Sequence, residues 1–112
     1  MTKGGGFGGL GDMGAILRQA QEMQRKMQKV EEDLKERVVE GSSGGGMVTA
    51  QANGKQEVLA LKISKDVVDP NDVAMLEDLV IAAVNQALKK SQELMKKEMG
   101  KVTGGLGLPG LF

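Results

Sequence analysis

The apolar residues in the first third of the chain recur at helical spacing. From Met13 onward they are separated alternately by three and four positions, with charged and amide side chains between them. The series is Met13, Ile16, Ala20, Met23, Met27, Val30 and Leu34. This spacing places them on one face of an α-helix, and Asp12 is a suitable N-cap. We predict an amphipathic helix from about Met13 to Glu36, roughly 35 Å long, whose apolar stripe packs on another helix.

The middle of the chain has the pattern of a β-hairpin. Asn53 and Gly54 stand between two runs of alternating apolar and polar residues, and both residues tolerate the positive φ of a type I′ turn. A two-residue loop would pair Ala52 with Lys55 and Val48 with Leu59. One face of the hairpin would then be polar and the other would face a core. The predicted core face carries Val48, Ala50, Leu59, Leu61 and Ile63.

A shorter first strand is predicted over residues 37–42, joined to the hairpin through Gly44, Gly45 and Gly46. Glycine runs also bind phosphates in nucleotide-binding loops. This one matches neither of the two common glycine-rich fingerprints, and no helix follows it. The run therefore predicts a tight connection between strands.

A second helix is predicted after Asp69 and Pro70, a cap residue followed by proline at the first helical position. Apolar residues keep a 3.6-residue period from Leu76 to Met99. Both ends of the chain are rich in glycine. We predict flexible tails over residues 1–11 and 104–112 and one domain over residues 12–103. The fold class is α+β: a long helix, a two- or three-stranded antiparallel sheet and a second long helix.

The composition excludes most catalytic chemistry. The chain has no histidine and no cysteine, so the usual general base, the common nucleophile–base pairs and most transition-metal sites are absent. The acidic run 31–33 fits a solvated helix face, and the run 77–78 fits a position near a helix N-terminus, where negative charge is stabilised. We expect no enzyme, no cofactor, no metal and no small-molecule substrate. The longest apolar run, LVIAAV, is too short to span a bilayer, so we also expect a cytoplasmic protein without a membrane partner.

The core predicted from this composition is thin. Only two residues are aromatic, and both lie in the predicted tails, at Phe7 and Phe112. A small core of aliphatic side chains and methionines is commonly extended by a second copy. We therefore expect a homodimer.

Charge is unevenly distributed in a chain whose formal net charge is zero. Residues 18–29 hold four cations and one carboxylate, and residues 89–101 hold five cations and two carboxylates. If the helices pair antiparallel and leave the sheet together, these basic ends coincide at the tip far from the sheet, with the acidic stretches near the sheet. The charge order of the second helix suits the helix dipole, but that of the first opposes it. A phosphate-binding patch would supply a reason.

Four segments resemble one family across the chain from about Leu17. They are Met23-Gln24, VVEGSSGGGMVTAQANGKQEVLALKIS, LEDLVIAAVNQALKKSQELMKKEM and TGGLGLPG. The chain resembles the YbaB/EbfC family of bacterial nucleoid-associated proteins. The resemblance implies a tweezer-like homodimer, with a sheet body and projecting helices, that binds double-stranded DNA in the nucleoid.

Charge, rather than a family motif, selects the candidate phosphate contacts. They are Arg18, Arg25, Lys26, Lys29, Lys89, Lys90, Lys96, Lys97 and Lys101. Neither helix carries the residues of a recognition helix, and single-strand binding usually needs aromatic stacking. We therefore predict a duplex binder with low sequence selectivity.

Two other classes of function compete with DNA binding. One is a dimeric helical adaptor that binds another protein through Met23, Met27, Met95 and Met99, since methionine adapts to varied partners. The other, a helix on a lipid surface, lacks the aromatic residues and the broad basic face that it would need.

Overall fold

Two long helices enclose a three-stranded antiparallel sheet in the chain order. The computed structural model describes residues 3–104, with side chains over residues 12–103. The elements are α1 (Lys3–Glu36), β1 (Val38–Ser43), β2 (Val48–Asn53), β3 (Val58–Ile63) and α2 (Val73–Gly104). The strand order is β1-β2-β3. The predicted α+β class and element order are confirmed, including the first strand. The chain is elongated, with principal extents of 86 × 24 × 17 Å.

Helix α1 is longer than the sequence predicted. Its 34 residues correspond to about 51 Å, and it begins at Lys3 rather than near Met13. The predicted start is therefore wrong. Each glycine costs a helix about 1 kcal/mol relative to alanine, but a residue added to an existing helix also gains a hydrogen bond, and α1 continues across the glycines. The mobility expected of residues 1–11 stays a prediction, and residues 105–112 of the second predicted tail lie outside the described residues.

The core lies where α2 crosses β1 and β2. Val48, Ala50 and Ala52 of β2 are fully buried, as are Ala83 and Ala87 of α2. These side chains are short, so the helix sits close to the sheet. The three glycines at positions 44–46, all at positive φ, form the short turn between β1 and β2, which confirms the predicted tight connection.

Helix α2 lies very close to the sheet at Gly41 of β1. A Cβ atom at this position would overlap the carbonyl oxygen of Ala83 and the amide nitrogen of Ala87 and would lie 3.0 Å from the carbonyl carbon of Gln86. A hydrogen bond lies beside the contact: the Ser43 hydroxyl donates to the Leu79 carbonyl. The backbones of β1 and α2 are therefore in direct contact.

The β2–β3 turn differs from the two-residue hairpin that the sequence predicts. Val48 pairs with Ile63 and Ala50 with Leu61, four positions from the predicted register, and the pairing carries an irregularity at Gln51/Ala52. The backbone N–H of Asn53 donates to the backbone carbonyl of Glu57 at 2.9 Å, and the positive φ falls on Gln56. The predicted type I′ turn is wrong.

Contacts with α1 explain the longer turn. The Gly54 N–H donates to the carbonyl of Leu34 at 2.8 Å and to that of Arg37 at 3.1 Å. A Cβ at Gly54 would lie 2.7 Å from Leu34 Cδ2. The buried Asn53 side chain accepts from the N–H groups of Lys55 and Glu57. The backbone N–H groups of the turn thus bond to the end of α1 and to the side chain of Asn53. A rule based on local sequence does not include the contacts with α1.

Helix α2 starts three residues later than predicted. Its cap is Asp72, whose Oδ1 accepts from the Met75 N–H at 3.2 Å. Asp69 and Pro70 instead form the turn before the helix, in which the Asp72 N–H donates to the Asp69 carbonyl. The assignment of Asp69 as helix cap is therefore corrected.

The predicted core face of β3 is exposed in the single chain. Leu61 and Ile63 lie directly opposite the buried Ala50 and Val48 and therefore share their face of the sheet. Helix α2 covers β1 and β2, so Leu59, Leu61 and Ile63 remain exposed. Their predicted place in the core is wrong for one chain alone.

Candidate nucleic-acid interface

The last turns of α2 lie antiparallel beside the C-terminal half of α1. Arg37, just after α1, contacts Glu98 of α2, while residues earlier in α1 meet residues later in α2. The two helices border a common channel, here called the shared groove. Its lining residues are Lys26, Lys29, Val30 and Asp33 of α1 and Glu98, Lys101 and Val102 of α2. The antiparallel pairing, which the charge argument took as a condition, is thus observed.

The shared groove brings together cations from sequence positions far apart. Lys26, Lys29 and Lys101 all line it, although some seventy residues separate the first two from the third. Two carboxylates, Asp33 and Glu98, line it as well. The predicted separation, with basic tips and acidic residues near the sheet, is therefore only partial, because the helices overlap over the acidic part of α1.

Glu98 is held by two cations. Its Oε1 accepts from Arg37 Nη1 at 3.0 Å and from Lys101 Nζ at 3.3 Å, and 18% of its side chain is exposed. The hydrogen bond from Lys101 and that from Arg37 hold the pKa of Glu98 below its ordinary value, against the opposing effect of burial. Glu98 therefore stays ionised and fixes Lys101 at the edge of the groove.

Lys89 and Lys90 lie beside the sheet rather than at the tip. Lys90 Nζ donates to the Glu40 carbonyl of β1 at 2.7 Å, and Lys89 is its exposed neighbour. The expectation that these two lysines sit far from the sheet is wrong. It assumed that the second helix leaves the sheet at its start, whereas the alanine-rich face of α2 packs on β1 and β2 over Leu79 to Ser91.

The other lysines of α2 continue from the sheet toward the groove. Lys96 and Lys97 are exposed. Lys90, Lys97 and Lys101 are spaced by seven and four positions, so they lie within about 40° of one another around the helix. We call these three residues the α2 stripe.

A matching line of cations follows α1. Arg18, Arg25 and Lys29 are spaced by seven and four positions and lie on the side of the helix away from its apolar residues. We call these three residues the α1 stripe. Arg18 lies about 12 Å along the helix from Lys26, beyond the part of α1 that α2 accompanies. The structure thus has two basic stripes that approach each other at the shared groove, not a single tip.

Sequence reasoning missed the role of Arg37. It is exposed over 52% of its side chain and bonded to Glu98, and the charge pattern of the sequence does not single it out. No local signal links it to a residue 61 positions away.

The described residues contain neither a group of side chains placed to bind a metal ion nor a helix that could span a membrane. Over the residues with described side chains, no cluster of three or more acidic side chains is placed to hold a metal ion. Within the described helices, none is apolar enough over a sufficient length to cross a bilayer.

Comparison with known proteins assigns the chain to a family. It is 52% identical to a nucleoid-associated protein of Acetivibrio thermocellus over 115 aligned positions, with all of both chains covered. It is 53% identical to a nucleoid-associated protein of Clostridium perfringens over 112 positions, again covering both chains completely. A crystal structure of an uncharacterized protein from Helicobacter pylori superposes with a TM-score of 0.70 at 26% identity, covering 82% of this chain and 94% of that one. Residues 9–106 match the YbaB/EbfC DNA-binding family, and the chain belongs to that family.

Proposed function

We propose that the protein binds double-stranded DNA as a homodimer in the bacterial nucleoid, through phosphate contacts from Lys26 and the two basic stripes. The observation that carries the proposal is the convergence of Lys26, Lys29 and Lys101 from two helices on one groove. The names of the relatives, nucleoid-associated proteins, support the same function. No chemical step accompanies binding in this proposal.

Charge without base-reading side chains favours the phosphate backbone as the target. Lysine meets a phosphate as a point charge and displaces condensed counterions, so affinity falls steeply as salt rises. The described side chains, residues 12–103, include no aromatic ring, so stacking on unpaired bases has no platform there. The expected ligand is therefore a duplex, with little dependence on its sequence.

The exposed face of β3 supports the homodimer. Leu61 and Ile63 continue the buried face of β2 beyond the edge of α2, and Leu59 is exposed nearby on the same strand. Contiguous exposed apolar surface of this kind marks an interaction site. A second copy that brings the same face would bury both patches in a symmetric, self-complementary contact. Such a contact would enlarge the thin core of the single chain.

A salt titration tests the DNA contact. Binding of a fluorescent duplex would be followed by anisotropy between about 50 and 200 mM salt. The variant carries Lys26→Gln, Lys29→Gln and Lys101→Gln. We expect weaker binding and a salt slope reduced by about 0.9 for each phosphate that the variant no longer neutralises. A scrambled duplex of equal length should bind the wild-type protein almost equally well.

The matched control removes the same charge from the sheet body. Lys55→Gln, Lys62→Gln and Lys65→Gln together neutralise three exposed lysines away from the groove and should leave the salt slope unchanged. If the control weakens binding and the groove variant does not, the site lies on the sheet. If the wild-type protein shows no salt-dependent retention of duplex, DNA binding is excluded and the helical adaptor becomes the better hypothesis.

Sedimentation tests the dimer. Leu61→Asp puts a charge on the exposed apolar face, whereas Lys62→Asp changes the neighbouring residue, which points to the other face of the same strand. We expect the first variant to sediment as one chain and the second, like the wild type, as two. A wild-type protein that sediments as a single chain would contradict the proposal, as would a Leu61→Asp variant that remains dimeric with native circular dichroism.

A further inference from the structure

The N-terminal half of α1 carries an apolar stripe that nothing in the described chain covers. Leu34 at the far end of the helix is fully buried, and Val30 and Met23 are half-buried. Toward the N-terminus the exposed fractions rise to 58% for Met13 and 61% for Ile16. Leu17, beside the stripe, is 60% exposed. The helix packing predicted for the whole stripe is therefore confined to its C-terminal half.

The apolar stripe of α1 changes from packed to exposed near the position where α2 ends. Lys101 and Val102 still line the shared groove with Lys26 and Val30, and Thr103 is buried. Helix α2 ends at Gly104. Because the helices run antiparallel, that end lies near Met23 and Lys26, and the uncovered stripe begins there.

The sequence continues from this point with the composition that such a stripe would accept. Residues 105–112 read GLGLPGLF, which gives four large apolar side chains and no charged side chain. Eight extended residues reach about 26 Å, whereas Met23 and Met13 are about 15 Å apart along the helix. Pro109 disfavours a continuation of α2 through this segment. The segment is long enough and apolar enough to follow the stripe to its start.

We propose that residues 105–112 lie along the apolar stripe of α1 in their own chain and complete the helix packing that α2 leaves unfinished. The occupied positions are those around Met13, Ile16, Ala20 and Met23. The basic α1 stripe on the opposite side of the helix stays free. This arrangement extends the interface between α1 and α2 and does not depend on DNA binding.

Methyl NMR gives a site-specific test, because the chain has only three isoleucines, Ile16, Ile63 and Ile81. The full chain would be compared with a variant that stops after Gly104. We expect the Ile16 methyl signal to move on deletion, while Ile63 on β3 and the exposed Ile81 on α2 stay in place. An unchanged Ile16 signal, or equal shifts at all three, would overturn the proposal.

Crosslinking identifies the occupant. The chain has no cysteine, so pairs of introduced cysteines react without background. Ala20→Cys on the apolar stripe is combined with Gly107→Cys and treated with a short bis-maleimide. The control combines Glu22→Cys, about 200° around the helix from Ala20, with the same Gly107→Cys. We expect closure within one chain for the first pair and at least fivefold less for the control.

Mixing separates one chain from two. Equal amounts of the two single variants, Ala20→Cys and Gly107→Cys, should give no crosslinked pair of chains. A strong two-chain product in this mixture would place the segment on a second copy and overturn the proposal. Equal closure at Ala20 and Glu22 would show that the segment has no preferred face, which also overturns it.

Discussion

The contact between Gly41 and α2 makes the substitution Gly41→Ala a sensitive probe of the fold. The added Cβ would overlap backbone atoms of Ala83 and Ala87. A flexible side chain could turn away from such a clash, but a helix backbone can only move as a unit. The helix would have to withdraw by about 1 Å to restore ordinary carbon contact distances.

The cost follows from what surrounds the contact. A gap of 0.5–1 Å forfeits roughly a quarter to a half of the dispersion energy of the atoms involved. The side chains of Ala83 and Ala87 at this contact are fully buried. Overpacking a well-packed core typically costs about 1–3 kcal/mol. Because both obstructing atoms are backbone, we expect the upper end, at least about 3 kcal/mol, or about 12 °C or more in Tm for a chain of this size.

The matched control is Gly100→Ala on α2, the helix that Gly41 contacts. A Cβ at Gly100 meets nothing within 4 Å, so this substitution should stabilise α2 by about 0.5–1 kcal/mol. Both variants and the wild type would be unfolded in urea at equal protein concentration and followed by far-ultraviolet circular dichroism, since the proposed dimer would make stability depend on concentration. The reasoning is refuted if Gly41→Ala unfolds at the same urea concentration as the wild type or a higher one.

Two further predictions concern a helix cap and a carboxylate. Asp72→Ala removes the side-chain acceptor for the Met75 N–H and should cost about 1 kcal/mol in urea unfolding, whereas Asp72→Asn should change stability by only a few tenths; equal destabilisation in both variants would argue against the cap. The lowered pKa of Glu98 means that the unfolded chain takes up its proton first as pH falls, so the stability this carboxylate contributes is complete above its ordinary pKa of 4.5 and is lost below it. The stability difference between wild type and Glu98→Gln should therefore shrink between pH 7 and pH 3, and a constant difference would contradict the assignment.

The periodicity of apolar residues predicted the helices and strands of this fold well. Burial of one face of a helix or strand requires apolar residues at regular spacing within that element. The hairpin shows where that information ends. Its register shift is an even number of residues, so the predicted faces of Val48, Ala50, Leu61 and Ile63 hold although their partners do not. The register depends on the hydrogen bonds of Gly54 to the end of α1, which neither strand encodes.

The candidate site was only partly visible in the sequence for a similar reason. The cations of both helices are evident from the sequence, but the prediction that Lys90 lies at a distal tip was wrong. The charge pattern does not reveal which face of α2 packs on the sheet. The small residues Gly41, Ala83 and Ala87 allow the helix and the sheet to pack closely. Their size predicts this packing only when it is known that these residues face one another. The pairing of Arg37 with Glu98 joins two helix ends and had no counterpart in local sequence.

The elongated outline has a practical consequence for handling this protein in solution. Its Cα radius of gyration is 22.6 Å, whereas a compact domain of this length would have about 13 Å. A rod of this kind diffuses slowly for its mass and leaves a gel-filtration column early, at the volume of a much heavier globular standard. Elution volume would therefore overstate the number of subunits, and light scattering or sedimentation equilibrium, which report mass independently of shape, are the measurements to use.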